Sequence, residues 1–377
     1  MIIATLGQLS SPFKVATVVN SCGGADMRIT RRTMIAGLAA SAPTFLIAQR
    51  ARAQTGGPSE AGQIDIARAK AEGKVLLYTS LDTQIVDAVN AGFRATYGIE
   101  VQYFRGGSAD VTSKVLAEAD AGRPQADMVD ASDLAALLLM KSKNLLKPFK
   151  SAAADAVGRE LRDADGTWIT DRLTQGVIQY NTAEFGAAPP AHWSDLGKSG
   201  MNGRLVYFSS ANGDGAPRIL TLAQHLGWDV VKAMAATKPL RVQTPQLITQ
   251  VIERGERKAG FLQNDNIAWR SKLQGKPTDF VFPAEGVPTE LGACGLLRSS
   301  SRPHAAALYH EWWMGPQGQA ILVKGGKYSS RSDVAPPEGS TRLADLKLLM
   351  LDYADYQKNR AANLDQMARV FGGEWGN

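Results

Sequence analysis

The stretch Lys74-Val75-Leu76-Leu77-Tyr78-Thr79-Ser80 decides the fold, because it begins a repeated alternation of strand and helix. Its dense apolar run predicts a buried strand that ends in small hydroxyl residues. A helix from Asp82 to Tyr97 follows, with apolar residues at helical spacing and Gly98 at its end. The next predicted elements are strands at 99–104 and about 126–129 and helices at about 110–121 and 134–140. This order predicts an α/β fold with a doubly wound parallel sheet.

Small polar residues follow the carboxyl ends of these predicted strands. In doubly wound sheets the ligand sits beyond those ends, where the side chains of neighbouring strands converge. We therefore predict that this edge of the sheet hydrogen-bonds a small polar ligand. The residues at the three strand ends are Thr79, Ser80, Asp82, Gly106, Gly107, Ser108, Asp130, Ser132 and Asp133.

The first 53 residues have the pattern of a secretory signal. Arg31 and Arg32 precede a weakly apolar, Ala-rich run, and Ala51-Arg52-Ala53 forms an A-x-A cleavage site. These features favour the twin-arginine export route, cleavage near Ala53 and a periplasmic location. Met27 is a candidate translation start, since residues 1–26 add nothing to such a signal. The alternative is a basic amphipathic helix of the mature fold.

The charge of the chain comes mostly from this leader. The whole sequence has 42 Lys and Arg and 36 Asp and Glu, and the leader holds six of the basic and one of the acidic residues. The 324 residues after position 53 therefore carry 36 basic and 35 acidic side chains. A nearly neutral chain argues against nucleic acid or an anionic membrane as partner, and its length suffices for two lobes with separate cores.

Motifs of catalysis and metal binding are missing from the sequence. There is no P-loop, no G-x-G-x-x-G after a strand, no G-x-S-x-G and no H-E-x-x-H. After processing, Cys294 is the one cysteine, and we expect a small buried hydrophobe there rather than a reactive thiol. We therefore predict no enzyme activity, no cofactor and no resident metal. The scattered histidines, which we expect to be structural, are His192, His225, His304 and His310.

The rest of the chain predicts a second lobe and a return to the first. Strands at 167–170 and 177–181 are expected to cross between the lobes, and 341–371 is expected to be one amphipathic helix. The other predicted elements are strands at 203–208, 258–262, 280–283 and 292–297 and helices at 217–225, 244–254, 303–313 and 316–323. The predicted domains are the signal at 1–53, lobe 1 at 54–165, lobe 2 at 166–289, a return to lobe 1 at 290–328 and a C-terminal helical segment at 329–377.

Two stretches of the second lobe are candidates for ligand contact. The Gly-rich turn from Ser209 to Pro217 feeds a helix, so its backbone N–H groups are predicted to face an anion; the alternative is an ordinary strand-to-helix loop. The run Gln263-Asn264-Asp265-Asn266 follows a predicted strand with four amide or carboxylate side chains. We predict ligand contact for this run too, and the alternative is an exposed loop.

The chain resembles a known protein family in several short motifs. A leader, a strand from Val75 to Ser80 and the turn Arg105-Gly106-Gly107-Ser108 are similar to the start of periplasmic solute-binding proteins of ABC transporters. More narrowly the chain resembles the ferric-ion-binding branch, whose relatives also carry thiamine, phosphonates and sugar phosphates. The resemblance implies a type II periplasmic binding fold, in which two α/β lobes close on a ligand. Supporting motifs in the family's order are Tyr97–Val101, Arg123–Met128, Gln179–Thr182, Trp193–Leu196, Val251–Glu256 and Gly315–Gln319.

Departures from the family pattern concern the iron site. The resemblance implies two adjacent tyrosines after the strand at 258–262, where this chain has Asn264-Asp265-Asn266-Ile267. Asp82 or a neighbour replaces the family's histidine after the first strand. The arginine that holds an anion at the crossing strand is displaced, and Arg172 lies just upstream. Since ferric iron needs anionic oxygen donors, we predict a small polar, anionic organic ligand, with Arg172 as countercharge or, alternatively, as a structural residue.

The resemblance also implies the partners and the mechanism. We expect a monomer that captures its ligand by hinge closure and delivers it to an ABC permease and its ATPase. The alternatives are a ferric binder with non-tyrosine ligands and a periplasmic enzyme or sensor subunit on the same fold. The predicted ligand-binding residues are Ser80, Asp82, Gly107, Ser108, Asp130, Ser132, Arg172, Gln175, Ser210, Asn212, Asp214, Gly215, Ala216, Thr244, Gln246, Asn264, Asp265 and Asn266.

Overall fold

A computed structural model describes residues 64–209 and 215–373 of the chain. Its strands are β1 Lys74–Thr79, β2 Glu100–Arg105, β3 Met128–Ala131, β4 Leu146–Lys147, β5 Ile169–Asn181, β6 Leu205–Phe208, β7 Leu240–Val242, β8 Ala259–Asn264, β9 Thr278–Val281, β10 Val287–Leu297, β11 Tyr328–Ser329 and β12 Leu348–Met350. Its α-helices are α1 Ile66–Glu72, α2 Thr83–Tyr97, α3 Ser108–Asp120, α4 Leu134–Ser142, α5 Thr182–Phe185, α6 Ala216–Leu226, α7 Trp228–Ala236, α8 Pro245–Glu253, α9 Asp265–Leu273, α10 Pro303–Met314, α11 Pro316–Lys324 and α12 Tyr353–Phe371. None of these helices is both long enough and apolar enough to cross a membrane.

The strands form two parallel half-sheets that share a pair of crossing strands. The main path runs β2-β1-β3-β10-β5-β8-β6-β7. At one end β1 is parallel to β2 and β3, and at the other β6 is parallel to β7 and β8. Between them β10 and β5 are antiparallel to each other and to their outer neighbours. The predicted α/β fold with two mostly parallel sheets and crossing strands is confirmed.

Each half-sheet has its own apolar core. The helical spacing of apolar residues in α2 buries Val86, Val89 and Phe93 against the first sheet, where they meet Trp313. In the second lobe Trp193 and Phe261 belong to a separate cluster with residues of α6 and α7. Each lobe therefore has a core of its own. Burial of apolar surface in such a core stabilises the fold by about 25 cal/mol per Å² removed from water.

Strand β5 differs from the sequence prediction. The two strands expected at 167–170 and 177–181 are one continuous strand of 13 residues, all buried. The prediction was wrong between them because Asp171 and Arg172 have the appearance of a polar break. Both side chains are instead fully buried, and their charges compensate each other: Arg172 Nη1 lies 2.7 Å from Asp171 Oδ2 and 2.5 Å from Asp130 Oδ1. Trp313 Nε1 also donates a hydrogen bond to Asp171 Oδ2 at 2.9 Å.

The buried cluster of Asp130, Asp171 and Arg172 is electrostatically coupled. Burial raises the pKa of Asp171 to about 7, although the positive charge of Arg172 opposes this shift. Burial alone would lower the pKa of Arg172, but the charges of Asp130 and Asp171 raise it above its ordinary value. Arg172 therefore stays charged at every physiological pH, and one guanidinium serves two buried carboxylates.

The polar run Gln263–Asn266 at the end of β8 is largely buried. It is therefore not an exposed loop, which was the alternative interpretation. Gln263 lies inside β8, and its side-chain amide donates to Gln179 Oε1 at 3.1 Å and to Thr249 Oγ1 at 2.8 Å. Asp265 begins α9, and its Oδ1 accepts a hydrogen bond from the Gln175 N–H at 3.2 Å. Burial raises the pKa of Asp265 to about 6. These hydrogen bonds hold the start of α9 against the crossing strand.

The C-terminal segment also differs from the sequence prediction. The helix expected at 341–371 begins only at Tyr353, because the preceding residues form a short 3₁₀ turn and strand β12. Leu348 of β12 pairs in parallel with Val287 of β10, and this long-range pairing is invisible in the local apolar pattern. Helices α1, α5, α7 and α9 have no counterpart in the sequence prediction.

Replacing Arg172 with methionine should destabilise the fold strongly. The substitution leaves two buried carboxylates without their cation, and breaking a buried ion pair in this way costs about 3–5 kcal/mol. Urea unfolding of residues 54–377 measures the change in free energy. The control is Arg369→Met, which removes an exposed pair with Asp365 on α12 and should leave the unfolding midpoint unchanged. Equal effects of the two substitutions would contradict the role given to Arg172.

Candidate ligand-binding cleft

A cleft of about 1610 Å³ opens where strands of both half-sheets end. Loops from both lobes form its walls, and residues of the crossing strand β10 and of the chain after α11 also contribute. Nine of the predicted site residues line it. They are Ser80, Asp82, Gly107, Ser108, Ser132, Gly215, Thr244, Gln246 and Asn264.

The remaining predicted site residues lie elsewhere. Ser210, Asn212 and Asp214 are outside the described residues. Six others are buried behind the cleft surface: Asp130, Arg172, Gln175, Ala216, Asp265 and Asn266.

Arg172 is connected to the cleft through a hydroxyl group. Its Nη2 donates to Ser132 Oγ at 3.0 Å, and Ser132 Oγ lies 2.8 Å from Ser80 Oγ. Both serines line the cleft. Arg172 therefore orients the hydroxyls of the cleft floor from behind, with its own guanidinium fully buried.

Helix N-termini from both lobes converge on the cleft. Residues at the starts of α2, α3 and α4 in one lobe and of α6, α8 and α9 in the other line it. In α4 the N-terminus is capped, because Asp133 Oδ1 accepts from the Ala135 N–H at 3.0 Å. In α2, α8 and α9 no N-cap side chain makes such a bond. In α3 the carboxylate of Asp110 accepts a hydrogen bond from the Gly107 N–H at 3.0 Å. The first N–H groups of a helix have no intrahelical partner and carry partial positive charge, so these helix starts favour an anion in the cleft.

Nearly equal numbers of cationic and acidic side chains line the cleft, and some of them are paired with each other. Glu290 is paired with Arg218, whose Nη2 lies 2.6 Å from its Oε2. Arg218 Nη1 also donates to Asn264 Oδ1 at 2.6 Å and to the Leu262 carbonyl at 2.9 Å. The six cationic and five acidic residues that line the cleft are Arg105, Arg218, Arg270, Lys276, Lys327 and Arg360, and Asp82, Asp110, Asp133, Glu253 and Glu290.

A buried ammonium group lies at the junction of the lobes. Lys327 is 5 % exposed, and its Nζ donates to Asn266 Oδ1 at 3.0 Å and lies 3.9 Å from Asp82 Oδ2. Asn266 Nδ2 donates to the same Asp82 oxygen at 3.1 Å, and Arg270 Nη2 lies 3.6 Å from it. Asp82 at the start of α2 is therefore connected across the cleft to α9.

The pKa values in this group follow from burial and charge. Burial lowers the pKa of Lys327, and the carboxylate of Asp82 opposes this shift. Burial raises the pKa of Asp82, but the positive charges of Lys327 and Arg270 bring it below its ordinary value overall. Since an ammonium has three N–H donors, Lys327 has donors left for an anion that enters the cleft.

Several cleft residues were missed by the sequence prediction. Arg218, Glu290 and Lys327 stand in apolar or Gly-rich stretches and Arg270 in a mixed one, and none of the four belongs to a motif. Arg105 was part of the motif that carried the family resemblance, but it was not included among the predicted ligand-binding residues. For Lys327, the one available signal was its place directly after the helix break at Gly325-Gly326.

The cleft offers no cluster of metal ligands among the described residues. In residues 64–209 and 215–373, no three His, Cys, Asp or Glu side chains come together as a metal site. Asn264, Asp265 and Asn266 occupy the positions where the family resemblance implies tyrosines. Of these, Asp265 is hydrogen-bonded to the crossing strand.

Known structures share this fold at low sequence identity. The periplasmic binding protein AfuA from Actinobacillus pleuropneumoniae, with exogenous fructose-6-phosphate bound, has a TM-score of 0.71 and 21% identity, and the match covers 79% of this chain and 98% of that chain. Iron-bound HitA from Pseudomonas aeruginosa has a TM-score of 0.68 and 20% identity over 78% and 98%. These similarities confirm the expected type II periplasmic binding fold.

Sequence comparisons give the family. An uncharacterized protein from Haemophilus influenzae is 24% identical over 308 residues, which are 77% of this chain and 87% of that protein. The family model for bacterial extracellular solute-binding proteins matches residues 75–326. This range is about two thirds of the chain and includes both half-sheets, so the resemblance stated from the sequence motifs is confirmed. The chain belongs to the family of bacterial extracellular solute-binding proteins.

Proposed function

We propose that this protein is the periplasmic substrate-binding component of an ABC importer and that it captures a small organic anion in the cleft. The observation that carries the proposal is the convergence of helix N-termini from both lobes beside the buried ammonium of Lys327. The family supports a binding role rather than catalysis. Fructose-6-phosphate bound to AfuA supports the ligand class, since it is an organic anion held by the same fold.

Electrostatics favours an anion over a neutral ligand. Each helix N-terminus contributes about 0.3–1 kcal/mol to the binding of a negative charge, and up to about 2 kcal/mol in partly buried geometry. Helices α2, α8 and α9 have no hydrogen bond from an N-cap side chain at this end. Lys327 adds a full positive charge in a setting where little water screens it. The hydroxyls of Ser80, Ser108 and Ser132 provide neutral hydrogen-bonding partners.

Iron is a weaker candidate cargo. The carboxylate of Asp82 is already engaged by Lys327, Arg270 and Asn266, and binding a ferric ion there would place it beside two positive charges. Asparagine side chains supply neutral oxygen, whereas ferric iron prefers anionic oxygen donors. HitA holds iron on the same fold, so iron belongs in the ligand screen as the competing outcome.

Ligand capture would use the crossing strands as a hinge. Strands β5 and β10 connect the half-sheets, and the ligand would draw the two walls of the cleft together. The closed form would be recognised by a membrane permease, and a partner ATPase would supply the energy of transport. The ligand stabilises the closed form only as far as it binds that form better than the open one. We expect the binding unit to be a monomer.

A thermal-melt screen of residues 54–377 should identify organic anions as the ligand class. The panel contains sugar phosphates, phosphonates, small carboxylates, thiamine, and ferric iron with carbonate or citrate. A ligand at a hundredfold excess over its Kd adds about 2.7 kcal/mol to stability, so the melting temperature should rise with an organic anion. The variant Lys327→Gln should lose most of this shift, because it removes the buried countercharge.

The matched control for Lys327→Gln is Lys324→Gln, which changes an exposed lysine at the end of α11, outside the cleft. This control should respond to the anion like the wild type. A shift with iron and none with any organic anion would contradict the proposed ligand class. An unchanged anion response in Lys327→Gln would contradict the role of the ammonium.

Export through the twin-arginine route is the localisation part of the proposal. Replacing Arg31 and Arg32 together with lysine should leave the full-length chain in the cytoplasm, because the arginine pair is the signal that this route recognises. Cell fractionation and mass spectrometry of the N-terminus measure the outcome, and the wild-type periplasmic chain should begin at Gln54. Normal export of the double-lysine variant would contradict the assignment of the route.

A further inference from the structure

The cleft continues well beyond the helix N-termini. On one wall its lining residues run along α3 from Ser108 to Leu116 and along α4 from Asp133 to Ser142. At a rise of about 1.5 Å per residue these distances are roughly 12–14 Å. An anionic group held at the helix starts would occupy only one end of this length, so the remaining wall is available to the rest of a larger ligand.

The C-terminal helix α12 forms part of the same cleft. Tyr356, Gln357 and Arg360 line it, and they lie on both sides of a kink in the helix at Asn359. Helix α12 lies outside residues 75–326, which the family model covers. This part of the cleft is therefore built from a segment that the family match does not include.

Packing against both lobes fixes the position of α12. Tyr356, Leu364 and Met367 are buried in the core cluster of the second lobe, and Ala135 of α4 packs against the same cluster. Tyr353 packs against the cluster that contains residues of α3 and α4. The helix therefore presents its cleft-lining residues from a supported backbone, which is what a binding subsite requires.

The wall formed by α3, α4 and α12 offers both a cationic side chain and apolar side chains to a ligand. Among the described residues no carboxylate pairs with Arg360, whereas Arg369 on the same helix pairs with Asp365 and Arg218 in the cleft pairs with Glu290. Leu139 of α4 lines the cleft and is 37% exposed, one of three large apolar side chains with that much exposure among the described residues. Leu116 of α3 lines the same wall.

We infer that α12, α3 and α4 form a second subsite, which binds the distal end of an elongated organic anion with two acidic groups. This inference rests on the proposed function: one acidic group binds at the helix N-termini and Lys327, and the second pairs with Arg360. The spacer between them packs against Leu116 and Leu139. The ligand class is therefore a two-headed organic anion with an apolar or weakly polar middle, rather than a bare inorganic ion.

Titration calorimetry tests the subsite with probes that carry one acidic group (one-headed) or two acidic groups (two-headed). The probes are succinate, suberate and sebacate, each compared with the monocarboxylate of equal length, and fructose 1,6-bisphosphate compared with fructose 6-phosphate. The wild type should bind a two-headed probe of suitable length up to about fivefold tighter than its one-headed partner, because Arg360 is exposed and an exposed ion pair contributes no more than this. Arg360→Gln should remove this difference and leave the affinity for one-headed probes unchanged.

The control variant is Lys358→Gln, which removes an exposed cation of α12 that does not line the cleft, and it should bind both classes like the wild type. Equal affinity of the wild type for one-headed and two-headed probes would overturn the subsite and leave the proposed function intact. An equal loss for both classes in Arg360→Gln would also overturn it, because Arg360 would then belong to the first site. If no probe bound to the wild type, the proposed function would fail and the subsite with it.

Discussion

The buried contact between Arg172 and the carboxylates of Asp130 and Asp171 is the constraint on which the rest of the structure depends. Asp130 lies in β3 and Asp171 in β5, so one guanidinium connects the first half-sheet to a strand that crosses between the half-sheets. The second oxygen of Asp130 accepts from Thr79 Oγ1 at 2.5 Å, which adds β1 to the same group. Since charges this deeply buried are tolerated only when they are well paired, the three strands are held in a single arrangement.

This arrangement organises the cleft before any ligand arrives. The residues that follow β1, β2 and β3 are hydrogen-bonded to each other: Ser132 N–H donates to Ser80 Oγ at 2.7 Å, and Asp133 N–H donates to Ser108 Oγ at 3.2 Å. The starts of α2, α3 and α4 are thereby held together on one wall, facing α8 and α9 of the other lobe. A preformed set of donors reduces the ordering cost of binding, so the proposed anion would meet donors that are already in place.

The sequence predicts the parts of this structure that depend on local pattern. Dense apolar runs identified β1 and β6, and helical spacing identified α2 and α8, because burial on one face imposes those periods. The sequence prediction was wrong where the conformation of a residue depends on a partner that is distant along the chain. Asp171 and Arg172 belong to a buried strand because they compensate each other's charge and that of Asp130, and β12 is a strand because β10 lies beside it. The cleft was located through strand ends, but Lys327 was missed, since only the folded chain brings it to Asp82 and Asn266.

The most direct test is a crystal structure of residues 54–377 with the organic anion that raises the melting temperature most. We expect an acidic group of the ligand in the cleft, within hydrogen-bonding distance of Lys327 Nζ and of N–H groups at the starts of α3, α8 or α9. We also expect Arg172 to be unchanged behind Ser132. A ligand bound outside the cleft, or a metal ion coordinated by Asp82 with Lys327 displaced, would contradict the claim that converging helix starts and a buried ammonium select an organic anion.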